Sequence, residues 1–164
     1  MARALIVGCG CLGSELGLAL AEDGWAVRGT SRSPEGADRI ESAGIEGVVA
    51  DPDRVGTVLE QVGDVAVVAW ALGGASGPTA ADVNGPRLER MLERLVDTPV
   101  RGFVLELPSG AGDARGLVEE ASSTWRIPAS VVEAPRDRPR DWVEAMRAAV
   151  NELLAPPAYG ALLV

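Results

Sequence analysis

Residues 5–32 read LIVGCGCLGSELGLALAEDGWAVRGTSR, in which short apolar runs alternate with other patterns. The apolar residues 4–7 predict a β-strand, and glycines follow it at positions 8, 10 and 13. A helical pattern comes next, and a second short apolar run then ends in Thr-Ser-Arg. Glycines with the spacing G-x-G-x-x-G between a strand and a helix are typical of a turn that binds the phosphates of a dinucleotide.

Each glycine of this turn has its own expected role. Gly8 permits a tight turn, Gly10 lets the backbone approach a pyrophosphate, and Gly13 lets the helix pack close to the strand. The helix N-terminus offers free N–H groups and a positive dipole to the phosphates. The alternative is a strand–helix turn that binds no ligand. The turn residues predicted to bind the cofactor are Gly8, Cys9, Gly10, Cys11, Leu12 and Gly13.

The end of the second strand indicates which dinucleotide is bound. A site for NAD usually has an Asp or Glu about 20 residues after the glycines, where it holds the ribose 2′-hydroxyl. This chain has Thr30, Ser31 and Arg32 there instead. A carboxylate would repel a 2′-phosphate, whereas an arginine beside hydroxyl groups offers it charge-assisted hydrogen bonds. We therefore predict NADP as the cofactor in preference to NAD. The alternative is that Arg32 is an ordinary surface residue.

The chain lacks the residues on which much familiar catalysis depends. It contains no histidine, and all 15 of its basic residues are arginines, so there is no lysine either. These absences exclude Ser-His-Asp hydrolysis, Schiff-base catalysis, histidine metal sites and lysine-bearing phosphate loops. Arginine stays protonated and is a poor general base, so proton transfer would depend on carboxylates, cysteines or water. No metal site is predicted.

Length, composition and charge limit the kinds of protein this chain can be. Its 164 residues, 47% hydrophobic and 24% charged, are typical of a single globular domain, here 1–164, without a separate substrate domain. The net charge of −9 argues against a nucleic-acid partner, which would need a basic surface. No apolar run reaches the roughly 20 residues of a membrane span, and the N-terminal pattern is that of a core strand and not of a signal peptide. We expect a cytoplasmic protein that does not bind membranes.

Strand-like and helix-like patterns alternate along the rest of the chain. This alternation predicts an α/β fold: a doubly wound, mainly parallel six-stranded sheet with helices on both faces, as in Rossmann domains. The predicted strands are 4–7, 26–29, 47–50, 64–72, 102–107 and 129–133. The predicted helices are the segment from the glycine turn to residue 21, and 35–43, 53–62, 80–96, 113–125 and 140–154.

Several further motifs resemble one known group, the atypical short-chain dehydrogenase/reductase relatives, which include NAD(P)-dependent epimerase-like proteins. The resemblance covers about residues 3–135 and includes GVVADPD, VVAWALGG, DVNGPRLERML and GFVLELPSG. It implies that Asp51 contacts the adenine ring, although a turn role for this residue is equally expected. It also implies that Asn84 lies near the nicotinamide and that Ser109 stands at the catalytic serine. The residues that it implies for the adenosine pocket are Ala69, Trp70 and Ala71, with a core role favoured for Trp70.

The chain departs from that family at its catalytic Tyr-x-x-x-Lys motif. Asp113 and Leu117 stand at the expected spacing, and the only tyrosine is Tyr159. The catalytic residues are therefore unknown, with Ser109, Asn84 and Asp113 as the candidates.

The N-terminal domain of 6-phosphogluconate/3-hydroxyisobutyrate-type dehydrogenases is also similar, with the same glycine spacing, a Ser-Arg end to the second strand and a serine after the fifth. Those enzymes need a helical C-terminal domain and a lysine, and this chain has neither.

Three functions remain open at this point. The favoured one is a degenerate NADP-binding module or sensor. The second is a small NADP-dependent reductase or epimerase-like enzyme with non-standard catalytic residues. The third is a cofactor-free dimerisation domain, suggested by the apolar residues 161–164.

Two smaller features also carry expectations. Cys9 and Cys11 are expected to be small residues that fill the turn, although a thiol near a helix N-terminus can have a lowered pKa and its modification would block the pocket. The arginines of segment 136–140 alternate with aspartates, which predicts a charge-balanced loop and not an anion site.

Overall fold

The computed structural model describes residues 1–110 and 112–154. Strands and helices alternate along these ranges, except that two consecutive helices precede the fifth strand. The strands are β1 (Arg3–Val7), β2 (Ala26–Ser31), β3 (Glu46–Val49), β4 (Val67–Trp70), β5 (Gly102–Glu106) and β6 (Ala129–Val132). The helices are α1 (Cys11–Glu22), α2 (Pro34–Ser42), α3 (Val55–Leu59), α4 (Ala80–Val83), α5 (Pro86–Leu95), α6 (Ala114–Trp125) and α7 (Pro139–Leu153).

The strands form one parallel six-stranded sheet in the order β3-β2-β1-β4-β5-β6. Ile6 of β1 lies opposite Gly29 of β2 on one side and Ala69 of β4 on the other. The strand order reverses between β1 and β4, and ligands of open α/β sheets bind beside such a reversal, at the carboxyl ends of the strands. The doubly wound α/β fold predicted from the sequence is confirmed.

Helices cover both faces of the sheet and enclose two separate apolar cores. One core lies under α1, α2 and α7, where Leu16, Ile40 and Trp142 pack together with the sheet. The other core lies under α3, α5 and α6. Strands β4 and β5 are buried along their whole length, because parallel strands between two helical layers face apolar side chains on both sides.

The segment predicted as one helix over 80–96 is two helices. Asn84 and Gly85 separate α4 from α5. The Asn84 side chain donates a hydrogen bond to the Leu72 carbonyl oxygen at 2.9 Å, which joins this break to the loop after β4. Pro86, the first residue of α5, has no N–H to continue the hydrogen bonds of α4. Apolar periodicity runs through this break, which is why the sequence suggested one element.

The apolar residues 161–164, which suggested a dimerisation surface, lie outside the described residues. Within 1–110 and 112–154, no helix combines the length and the apolar character needed to cross a bilayer.

Candidate functional site

A cavity of about 800 Å³ opens at the carboxyl ends of β1, β2 and β3 and against the loop that follows β4. This is the side of the strand reversal at which Rossmann folds bind ligands. Eight of the residues predicted to bind a cofactor line it: Gly8, Cys9, Gly10, Cys11, Thr30, Ser31, Arg32 and Asp51. The structure therefore brings the glycine turn, the end of β2 and the end of β3 together around one space.

The three glycines of the turn differ in what surrounds them. Gly8 has φ +85°, and a Cβ there would stand 2.8 Å from the Ala71 carbonyl oxygen, so this position requires glycine. A Cβ at Gly13 would meet Cys9 Sγ at 3.3 Å, which reflects the close approach of α1 to the turn. A Cβ at Gly10 would meet no protein atom within 4 Å, so the backbone here faces open space in which a ligand can lie.

The N-terminus of α1 presents unsatisfied N–H groups to this space. An α-helix leaves its first N–H groups without intrahelical acceptors, and Gly10, which precedes α1, has no side chain to cap them. The first turn of α1 contains no acidic residue. Such an end favours the binding of phosphate groups. The residues of the turn thus fit the cofactor that the fold implies.

Thr30 accepts two hydrogen bonds from the glycine turn. Its Oγ1 accepts a hydrogen bond from the Gly8 amide at 3.2 Å, and its carbonyl oxygen accepts one from the Cys9 amide at 3.0 Å. Thr30 is only 1% exposed. Its visible role is therefore to join the end of β2 to the glycine turn.

Two arginines project into the part of the cavity beside β2. Arg32 follows β2, and Arg39 lies on α2. Both are exposed, and among the described residues neither forms an ion pair. Sequence reasoning missed Arg39, because Arg32 precedes the cap of α2 and no helical spacing relates the two residues.

Asp51 has the turn role considered for it and also lines the cavity, and its contact with an adenine ring stays a prediction. It lines the cavity, and its Oδ1 accepts a hydrogen bond from the Asp53 amide at 2.9 Å in a local turn. Asp53 also lines the cavity, where its carboxylate accepts a hydrogen bond from Arg87 Nε at 3.0 Å.

The two cysteines occupy unlike environments. Cys9 is 6% exposed, and burial raises the pKa of its thiol to about 11, which overturns the expectation of a lowered pKa for this residue. A Cβ at Gly29 would stand 2.5 Å from Cys9 Sγ, so the thiol fills a space left by glycine. Cys11 is exposed and lines the cavity.

The remaining predicted cofactor residues are not among those that line the cavity. Gly13 is buried in α1, and Leu12 packs against the core under α1. Ala69 and Trp70 are 0% exposed and Ala71 is 2% exposed. The Trp70 indole N–H donates to the Val83 carbonyl oxygen at 3.2 Å, as expected for a core tryptophan.

The three candidate catalytic residues have separate local roles or positions. Asn84 holds the Leu72 carbonyl oxygen, and Asp113 caps α6 by accepting a hydrogen bond from the Gly116 amide at 3.2 Å. Ser109 is exposed in the loop between β5 and α6. Within the described residues no hydrogen bond joins any two of the three.

Sequence reasoning also missed an ion pair at the end of β5, between a buried glutamate and a half-exposed arginine. Glu106 is 2% exposed, and Arg136 Nε and Nη2 donate to its two carboxylate oxygens at 2.7 and 2.8 Å. The expectation that Arg136 belongs to a charge-balanced loop was wrong for this residue. A glutamate in an otherwise apolar strand was the available signal, because a buried carboxylate requires a partner.

The sheet order and the glycine turn together define a Rossmann-type protein. Among solved structures, the chain is similar to a UDP-glucose 4-epimerase from Thermotoga maritima, at 13% identity and a TM-score of 0.61, over 79% of this chain and 54% of that one. It is similar to a short-chain dehydrogenase/reductase superfamily protein from Agrobacterium tumefaciens with bound NAD, at 20% identity and a TM-score of 0.61, over 79% and 48%. It is also similar to a yeast methylglyoxal/isovaleraldehyde reductase complexed with NADPH, at 15% identity and a TM-score of 0.61, over 80% and 53%.

These similarities confirm the predicted resemblance at the level of the fold. The chain spans about half the length of those structures. No family model matches the sequence, and no curated protein matches it.

Proposed function

We propose that this chain binds NADP in the cavity between the glycine turn and α2, and that it acts as a cofactor-binding module. The observation that carries the proposal is that Arg32 and Arg39, unpaired within the described residues, line the same cavity as the open turn at Gly10. A pyrophosphate at the N-terminus of α1 and a 2′-phosphate beside the two arginines would both be neutralised there.

The size of the cavity supports a small-molecule ligand. Pockets for such ligands usually have volumes of about 300–1,000 Å³, and this one has about 800 Å³. Among the similar structures, the yeast reductase is complexed with NADPH and the Agrobacterium protein with NAD. A nicotinamide dinucleotide is therefore the first class of ligand to test.

The end of β2 favours NADP over NAD. No carboxylate stands at residues 30–32 to hold a free 2′-hydroxyl. The acidic residues that line the cavity are Glu15 on α1 and Asp51 and Asp53 after β3, and Asp53 accepts a hydrogen bond from Arg87 Nε. A guanidinium forms two parallel hydrogen bonds with a phosphate, which distinguishes a 2′-phosphate from a hydroxyl.

Binding without catalysis is the simpler function for this set of residues. Asn84 and Asp113 hydrogen-bond to backbone groups, and exposed Ser109 forms no side-chain hydrogen bond to a general base among the described residues. The chain has no lysine or histidine to supply one.

The test is a calorimetric titration of the purified chain with NADPH, NADP, NADH and NAD. We expect micromolar dissociation constants for the two 2′-phosphorylated nucleotides and at least tenfold weaker binding of the other two. Equal affinity for all four would overturn the preference for NADP. Binding of none would overturn the proposed function and favour the cofactor-free dimerisation domain.

A further inference from the structure

The two halves of this Rossmann sheet are built differently at their carboxyl edges. A sheet with this strand order consists of two mononucleotide-binding halves, one on each side of the reversal between β1 and β4. The half formed by β1, β2 and β3 carries the cavity. Of the described residues that line the cavity, none lies beyond Val83, so β5, β6 and the segments after them contribute none.

Side chains fill the corresponding position in the other half. Glu106, the last residue of β5, accepts four hydrogen bonds in its buried position. Its Oε1 accepts from the Gly73 amide and from Arg136 Nη2, each at 2.8 Å. Its Oε2 accepts from Arg136 Nε at 2.7 Å and from Trp142 Nε1 at 2.8 Å. The carboxylate is therefore fully engaged by protein groups.

The loop after β4 is pressed against these side chains. A Cβ at Gly73 would stand 2.6 Å from the carboxyl carbon of Glu106, and one at Gly74 would stand 2.7 Å from Arg136 Nε. Arg136 Nη2 also donates to the Ala71 carbonyl oxygen at 3.0 Å. Gly74 faces the cavity as well, so Arg136 and Glu106 close the space directly behind the cavity wall.

Opening the space that Arg136 and Glu106 fill would lower the stability of the fold. Moving Arg136 aside would leave the Glu106 carboxylate buried without its main partner, which folded proteins avoid. The Arg136 guanidinium also lies over the Trp142 ring, 5.4 Å from its centroid, in a cation–π contact. The arrangement is thus held on several sides and not by one flexible side chain.

The cavity extends in the opposite direction, between α1 and α2. Leu18 of α1 and Arg39 and Ala43 beside α2 line this part. The enclosed volume therefore lies around the turn, β2, α2 and the segment after β4, where an adenosine with its 2′-phosphate would be held, and no described residue of β5 or β6 lines it.

We infer that the chain recognises NADP through its 2′-phospho-ADP half alone and leaves the nicotinamide half outside the enclosed site. This inference rests on the proposed function and specifies its ligand class, which is a 2′-phosphorylated adenosine diphosphate. It follows that 2′-phospho-ADP-ribose is bound as well as the whole dinucleotide and that the oxidised and reduced forms are bound equally.

Calorimetry with NADP, NADPH, 2′-phospho-ADP-ribose and nicotinamide mononucleotide tests this inference. We expect the first three dissociation constants to agree within about threefold, and no binding of the mononucleotide at about 1 mM. NADP or NADPH binding more than about tenfold more tightly than 2′-phospho-ADP-ribose would overturn the inference and leave the proposed function intact. Failure of all four to bind would instead reject the proposed function.

The fluorescence of bound NADPH gives an independent measurement. If the reduced nicotinamide remains in water, acrylamide quenches the emission of bound NADPH as efficiently as that of free NADPH. Protection of the bound nicotinamide from acrylamide would contradict the inference, even if the calorimetric affinities agreed.

Discussion

Glu106 and Arg136 form a two-point ion pair across 30 residues of sequence, in which Nε and Nη2 of the guanidinium each donate to a different carboxylate oxygen. The Glu106 side chain is 3% exposed and that of Arg136 is 38% exposed. The buried partner therefore depends on the half-exposed one. Through Ala71 and Gly73, the pair also connects the ends of β4 and β5 with the segment after β6.

Removing this arginine should destabilise the protein strongly. The Arg136→Ala substitution leaves a buried carboxylate without a cation, and we expect a loss of about 2–4 kcal/mol in the free energy of unfolding, since water can reach part of the site. Urea denaturation followed by circular dichroism measures this loss.

The matched control is Arg115→Ala, which removes an exposed arginine of α6 that pairs with exposed Glu119 and Glu133. Surface pairs of this kind contribute at most about 1 kcal/mol. If the Arg136→Ala loss does not exceed the control loss, the pair does not stabilise the fold as described. A double substitution of Glu106→Gln and Arg136→Met should recover part of the stability, because no charge is then left buried and the glutamine oxygen can still accept a hydrogen bond from Gly73 or Trp142.

The parts of the fold that the sequence predicted are those that short stretches determine. The glycine turn, the six strands and the final helix each show a local pattern of apolar residues and glycines, and the parallel order follows from their alternation. The break at Asn84 and Gly85 was missed because apolar periodicity runs through it, although the Gly85-Pro86 pair is a local signal for a helix boundary.

The candidate site was predictable only in part, because some of its contacts join residues that are distant in sequence. Residues of the turn and of the end of β2 lie close in sequence to the motif that marks them. The pairing of Glu106 with Arg136, by contrast, depends on how β5 and the segment after β6 meet in space. No periodic pattern of apolar residues in the sequence indicates that contact.

The glycine turn offers a clean separation of folding from binding. A Cβ at Gly10 would meet no protein atom within 4 Å, so we expect Gly10→Val to leave the circular dichroism spectrum unchanged but to fill the space that the phosphates need and abolish nucleotide binding. Gly63→Ala is the control, since that position is equally open but lies outside the residues that line the cavity. Unchanged affinity of the Gly10→Val variant would show that the nucleotide does not bind at this turn.

The two arginines beside β2 should determine the choice between NADP and NAD. We expect Arg32→Glu to weaken NADP binding by at least about tenfold to a hundredfold while changing NAD binding little, because a charge-assisted hydrogen bond contributes about 1.5–3 kcal/mol. Arg39→Ala should act in the same direction with a smaller effect. Arg90→Glu, on α5 and away from the cavity, is the control. Equal losses for both nucleotides would show that Arg32 does not contact the 2′-phosphate.

Thiol labelling should distinguish the two cysteines. Because Cys9 is buried with a pKa of about 11 and Cys11 is exposed, a chromogenic disulfide reagent at pH 8 should titrate one thiol per chain in the folded protein and both in guanidinium chloride. Bound NADPH should slow the reaction of the Cys11 thiol, since Cys11 lines the cavity. The folded Cys11→Ser variant should show no rapidly reacting thiol. Two fast thiols in the folded wild type would contradict the buried position of Cys9.

The junction of α1 with α7 should make stability depend on acid pH. Arg147 and Asn151 of α7 donate hydrogen bonds to the Asp23 carboxylate and lower its pKa from 3.8 to about 2, the arginine having the larger effect. Because the folded pKa lies below the unfolded one, the stabilisation is complete above about pH 4 and is lost as the pH falls toward 2. Asp23→Asn should therefore lower the free energy of unfolding at pH 7 and have little effect at pH 2.

Asp97→Asn, at an exposed residue with no side-chain hydrogen bond in the described ranges, should show no such dependence. A loss of stability in Asp23→Asn that is equal at both pH values would mean that the ionised carboxylate is not what joins the two helices.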